Sequence, residues 1–246
     1  MKFTLARGIG WSLALAAAAL AFGLYSGAIV VPARYDPWAP LDVTAPPDAL
    51  TGFKLSRAQT DPARCKAALA QTGMQYDAVP DRTTGPGCGF DNAVRLRQAG
   101  VRFGAPLTLS CPMALSFAMW ERHALQRAAA ERFGQPVAAI EHLGSYACRN
   151  INRGEGATPG ASRSRHATAN ALDVSGLTLR DGRRFSVQKN WAAANENSAA
   201  PDEGAALLRD AHRGACRYFD GVLGPDYNAV HRDHFHLETG GFSMCR

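Results

Sequence analysis

Between Gly8 and Ala33 no charged residue interrupts a run of apolar and small positions, with WSLALAAAALAFGLYSGAIVV at its centre and Lys2 and Arg7 before it. The run exceeds the roughly 20 apolar residues that span a bilayer as a helix, so it fits a retained signal anchor. Ser26-Gly27-Ala28 also supplies a small-x-small exit for a cleaved signal peptide. Both readings leave the basic amino end in the cytoplasm and export the remainder.

Residues 32–53 (PARYDPWAPLDVTAPPDALTGF) set Pro among polar and small positions. Pro fixes φ and lacks an N–H, which predicts an extended spacer, with a reach of about 70 Å if it were wholly polyproline II. From Lys54 onward the pattern turns globular. The chain therefore divides into a targeting segment over 1–33, a spacer over 34–53 and a domain over 54–246.

Within that domain, Ala63 to Thr72 fits a short helix, and residues 80–89 (PDRTTGPGCG) a turn. The clearest helix opens at Cys111-Pro112 and stops at Gly134, with Leu115, Met119, His123 and Leu125 inside and Glu121, Arg122, Gln126 and Arg127 outside. Pro136 to Cys148 reads as a strand, and residues 152–163 as a mobile, polar, Gly-rich loop. Strand signals follow at Ala171–Ser175 and Arg184–Val187, a helix at Pro201–Tyr218 and a short strand at His234–Glu238. Helices and strands interleave without a βαβ rhythm. The predicted class is α+β, with a small mixed or antiparallel sheet, flanking helices and disulfide support.

Composition narrows the function classes. Hydrophobic residues make up 46% and charged residues 20%, enough apolar content for a real core. The formal net charge is +6, but the Arg residues are scattered rather than gathered on one helix, so no nucleic-acid stripe is read. A basic exported chain would be drawn instead to anionic polymers such as cell wall. Cys65, Cys88, Cys111, Cys148, Cys216 and Cys245 all follow the apolar run, and none forms a CxxC pair. Three disulfides are expected, rather than a zinc knuckle, as suits a periplasmic protein. Joining neighbours (65–88, 111–148, 216–245) ties adjacent segments without threading.

Histidines gather in two windows, Ser164–Asp173 (SRHATANALD) and His231–His236 (HRDHFH). Imidazole plus carboxylate is the donor set of catalytic zinc, three protein ligands and one open position. His234 and His236 are two apart, so on a strand both leave the same face. His166 and Asp173 need a turn at 167–170 to converge. Alone, the last window also suits a surface His cluster, and Asp173 a turn or cap.

The first window resembles the SxHxxGxAxD motif of the zinc D-alanyl-D-alanine peptidases and their relatives, with Ala169 where the motif has Gly. The resemblance implies zinc (Zn2+) held by His166, Asp173 and His236. It places Ser164, Arg149 and His231 near the substrate, Arg149 also reading as a plain surface residue. A base is offered by His234, on the ligand's strand face, or by Asp233, three residues before His236, where carboxypeptidase relatives carry Glu. Over residues 40–246 the chain also resembles the bacterial extensin-like C-terminal domain family, through PLD-x-x-APP (Pro40 to Pro47), GCGF (Gly87 to Phe90), CPMA (Cys111 to Ala114), SYACRN (Ser145 to Asn150) and HRDHFHLE (His231 to Glu238).

These readings predict a zinc peptidase in the periplasm, held at the inner membrane or released, that cuts a stem-peptide amide of peptidoglycan, a D,D-bond by resemblance. The alternative is a non-catalytic cell-wall binding or scaffolding domain of the same fold.

Overall fold

The computed structural model describes residues 2–152, 162–191 and 202–246. Contacts divide the chain into one unit up to Ala39 and a second from Pro40 onward. In the first, helix α1 (Lys2–Tyr25) includes the window Gly8–Tyr25, long and apolar enough to cross a membrane by length and composition.

The second unit opens with α2 (Thr51–Gln59) and α3 (Pro62–Leu69). Asp61 caps α3 by accepting the N–H groups of Ala63 and Arg64 at 2.9 and 3.1 Å, while Pro62 sits where no N–H is needed. Strand β1 (Gln75–Val79) and the hairpin of β2 (Arg82–Gly85) and β3 (Cys88–Phe90) follow. That hairpin replaces the plain turn that the sequence predicts at 80–89. Then come β4 (Ala93–Gln98) and β5 (Arg102–Ser110).

Helix α4 (Cys111–Trp120) starts where the Ser110 hydroxyl accepts the Met113 N–H at 3.2 Å, and every residue from Met113 to Trp120 is buried. A helix apolar all round belongs in a core. It runs through one π-helical turn, Glu121–Leu125, into α5 (Gln126–Phe133), and Gly134 closes it at φ 64°. The helix predicted over 111–134 is thus continuous. Glu121, predicted outside, is buried, accepts from Gln126 at 2.7 Å and has its pKa raised by burial.

The remaining elements are β6 (Val137–Gly144), β7 (Ala171–Leu179), β8 (Arg184–Ser186), α6 (Val187–Asn190), α7 (Glu203–Ala215), β9 (Gly221–Leu223), β10 (Phe235–Glu238) and β11 (Met244–Cys245). Nine strands form one mixed sheet in the order β1-β4-β5-β6-β7-β10-β9-β11, with β8 also on β7. Pairing is antiparallel except between β5 and β6 and between β9 and β11. The class is α+β, with a larger sheet than the sequence suggests. Leu172, Val174, Phe235, Leu237 and Val222 point into the core with Phe117 and Trp120. Alternation then sends Asp173, His236 and Glu238 to the opposite face.

Two expectations change. Leu41 and Val43 are buried in the core, and the Val43 carbonyl bonds the His123 ring at 2.9 Å, so residues from Pro40 belong to the packed unit rather than to a spacer. The disulfides join Cys65 to Cys111, Cys88 to Cys148 and Cys216 to Cys245, so only the last of the neighbour pairs is found. Packing of α3 on α4 brings Cys65 to Cys111, and the hairpin brings Cys88 to the segment after β6. The Gly-rich loop expected over 152–163 lies, from 153 to 161, outside the described residues.

Peptide mapping by mass spectrometry without reduction should recover the three bridges Cys65–Cys111, Cys88–Cys148 and Cys216–Cys245. The double variant C65A/C111A should lose about 2–4 kcal/mol in denaturant unfolding, and an undiminished midpoint would contradict a structural role for this buried bridge.

Candidate functional site

The pairing of β7 with β10 sets Asp173 directly opposite His236. His166 arrives from a separate 3-10 turn, Arg165–Thr168. Ser164 caps that turn, its hydroxyl accepting the His166 N–H at 3.3 Å. Ser164 is buried beside the turn that it caps. Ala169 closes the turn in the left-handed region at φ 55°, with its N–H on the His166 carbonyl and its carbonyl on the Ser110 N–H. The shape that glycine would supply is kept by an alanine, at a conformational cost of about 1–2 kcal/mol. The turn also leans on the segment after β6, where the Ala147 N–H donates to the His166 carbonyl at 3.1 Å.

The predicted trio converges. His166 Nε2 lies 3.1 Å from Asp173 Oδ2, His236 Nδ1 lies 2.9 Å from Asp173 Oδ1, and the two ring nitrogens are 3.2 Å apart. All three residues are buried. Their outer contacts settle which nitrogens face inward. His166 Nδ1 donates to the Ser145 carbonyl at 3.2 Å, and His236 Nε2 donates to Glu238 Oε2 at 2.9 Å. In the metal-free protein the inner nitrogens share protons with the Asp173 carboxylate; once those protons are lost, both nitrogens and the carboxylate present lone pairs toward one point. A cation at that point, a proton or a metal ion, satisfies them, so the donor set fits a metal.

His234 stands beside the trio, its Nε2 3.6 Å from Asp173 Oδ1 and its Nδ1 2.8 Å from Asp233 Oδ1. The two candidate bases are therefore one hydrogen-bonded pair, with Asp233 behind His234. His231 packs its ring 5.3 Å from that of His234 and 5.8 Å from that of His236, and bonds Asn228 Oδ1 through Nδ1 at 2.7 Å. The Arg149 side chain is exposed and outside the His166–Asp173–His236 trio; its charge acts on His231. Sequence reasoning missed Ser145, Asn228 and Glu238. The signal for Glu238 was present, since two-residue spacing on a strand puts it on the face of His236.

A second group, His212 with Cys216 and Cys245, also clusters, but its sulfurs form a disulfide and hold no metal.

Charge balance follows from burial. Burial opposes the Asp173 carboxylate, yet hydrogen bonds from His166 and His236 outweigh it and hold its pKa far below the usual range. Burial likewise opposes charge on His236, but Asp173 and Glu238 prevail and push it up to about 9. His231 is lowered to about 4, first by burial and then by His236 and His234.

A family model described as "Extensin-like protein C-terminus" matches residues 63–246. No curated protein matches the chain, and no solved structure does.

In the metal-free protein, NMR titration should find the His236 ring protonated through neutral pH and releasing its proton near 9, with His231 neutral down to about 4. The raised His236 contributes stability that is full below its unfolded value of about 6.5 and lost as pH rises through 9. The depressed His231 acts the other way, reducing stability as pH falls from about 6.5 to 4. A His236 ring titrating near 6.5 would contradict the arrangement of carboxylates around it.

Proposed function

The chain belongs to the family described as extensin-like protein C-terminus, and within it we propose an exported zinc peptidase that hydrolyses a stem-peptide amide of peptidoglycan, with a D,D-bond favoured. The carrying observation is the convergence of three acceptor atoms from His166, Asp173 and His236 beside a carboxylate-backed imidazole. Two imidazoles and one carboxylate are the ligand set of catalytic zinc, with a fourth position left open. Similarity of Ser164–Asp173 to the motif of the zinc D-alanyl-D-alanine peptidases supports the same choice.

Zinc bound by these residues would polarise the scissile carbonyl and lower the pKa of bound water to about 7. The chain's own groups do the rest. His234 accepts the proton of the attacking water at Nε2 and returns it to the leaving amine. Asp233 accepts the Nδ1–H of His234 and so keeps the Nε2 lone pair turned toward the site, 3.6 Å from Asp173. His231, neutral because its pKa is depressed, and the cationic Arg149 serve the substrate's polar groups, Arg149 a carboxylate. The apolar helix Gly8–Tyr25 would direct the domain to the inner membrane, as an anchor or as a cleaved signal. The three disulfides suit the oxidising periplasm.

Two measurements test this reading. His166→Ala, Asp173→Ala and His236→Ala should each release zinc with the disulfides intact, and full zinc content in any of them would remove that residue from the ligand set. Chromatography of cross-linked muropeptides incubated with zinc-loaded protein should reveal new peptide ends, which a chelator abolishes. His234→Ala should keep zinc and lose roughly 10²–10⁴-fold in turnover. Unchanged muropeptides with the wild-type protein, alongside binding to intact sacculi, would support the cell-wall binding domain instead.

A further inference from the structure

Glu238 lies two residues beyond His236 on β10, and its Oε2 accepts the His236 Nε2–H at 2.9 Å. The fold leaves room for this carboxylate in two places. Gly221 stands in register with Glu238 across the β9–β10 pair, and a Cβ there would come within 2.5 Å of Glu238 Cγ. A Cβ on Gly241 would overlap Glu238 Oε1. Neither glycine has a positive φ, so what a side chain at either position would contest is the space that Glu238 occupies. The seat is also tied down. The Asp220 N–H donates to the Glu238 carbonyl at 3.0 Å, and Asp220 Oδ2 accepts the Gly240 N–H at 2.6 Å. Arg165, from the turn that carries His166, reaches the Gly240 carbonyl.

A neutral imidazole keeps one proton and can hold it on either nitrogen. In His236 the inner nitrogen, Nδ1, is 2.9 Å from Asp173, itself a strong acceptor. A proton held there would satisfy Asp173 and close the ring's lone pair to a metal. We propose that Glu238, seated by Gly221 and Gly241, is the positioning residue that holds the proton on Nε2 and leaves Nδ1 open to a metal ion shared with His166 and Asp173. The proposal rests on the metal reading given above.

The test is competitive zinc titration of the full chain in detergent against a chromophoric chelator, with NMR detection of the His236 Nε2–H in the zinc-loaded protein. Glu238→Ala should bind zinc about 10–100-fold more weakly, as loss of a ligand's outer partner does elsewhere. Glu238→Gln should recover part of that affinity and retain the Nε2–H signal, because its amide oxygen still accepts. Gly241→Ala, which displaces the carboxylate without removing it, should weaken zinc similarly and add little to Glu238→Ala in the double variant. Wild-type affinity in folded Glu238→Ala would overturn the proposal. If that variant does not fold, wild-type affinity in Gly241→Ala overturns it equally. Failure of the wild-type chain to take up zinc is a separate result, which removes the metal reading and this proposal with it.

Discussion

Burying a carboxylate is costly unless opposite charge or hydrogen-bond donors surround it, and Asp173 is buried on the face of β7 opposite the core. Its two oxygens are met by His166 at 3.1 Å and His236 at 2.9 Å, with His234 at 3.6 Å beyond. Each of these rings must then be oriented, and the surrounding structure supplies the means. The Ser145 carbonyl turns His166, Glu238 turns His236 and Asp233 turns His234. Around one carboxylate the chain thus builds two tiers of hydrogen bonds, the outer tier drawn from the segment after β6 and from the stretch Asp233–Glu238.

Those stretches do not hold their places through the core alone. The Cys88–Cys148 bridge ties the β2–β3 hairpin to the segment that offers the Ser145 carbonyl and the Ala147 N–H to His166. The Cys216–Cys245 bridge fastens β11, whose return brings Gly240 and Gly241 against Glu238 and Arg165. Cys65–Cys111 lies deeper and joins α3 to the start of α4, beside the Ser110 that bonds the Ala169 carbonyl. Each bridge therefore bears on a segment next to the site, although no cysteine belongs to it.

Much of this was legible in the sequence where chemistry and period coincide. The close spacing of His234 and His236, and the small residues between His166 and Asp173, announced a convergence that the β7–β10 register completes, although β10 begins only at Phe235 and His234 precedes it. The buried helix from Cys111 was equally readable, because its early proline and its closing glycine agree. Strands β1, β4 and β5 were not, since charged Arg95, Arg97 and Arg102 and the proline at 106 break the apolar alternation that a sheet member usually displays. The cysteine pairing depends on which helices and hairpins meet, and adjacency in sequence carries no such information. Leu41 and Val43 form an alternating apolar pair, but the prolines around them dominate the local pattern and conceal their burial.

Ala169 separates what a motif records from what a turn requires. The left-handed conformation there is needed to reverse the chain between His166 and β7, and glycine supplies it without strain. In this chain alanine adopts it at φ 55° and ψ 25°, held by the bonds from its N–H to His166 and from the Ser110 N–H to its carbonyl. Its methyl is fully buried. Alanine at this position therefore costs the turn some conformational energy, and the imidazole of His166 still reaches Asp173. The placement of His166 is set by backbone bonds around the turn, so a substitution that preserves those bonds leaves its approach to Asp173 intact.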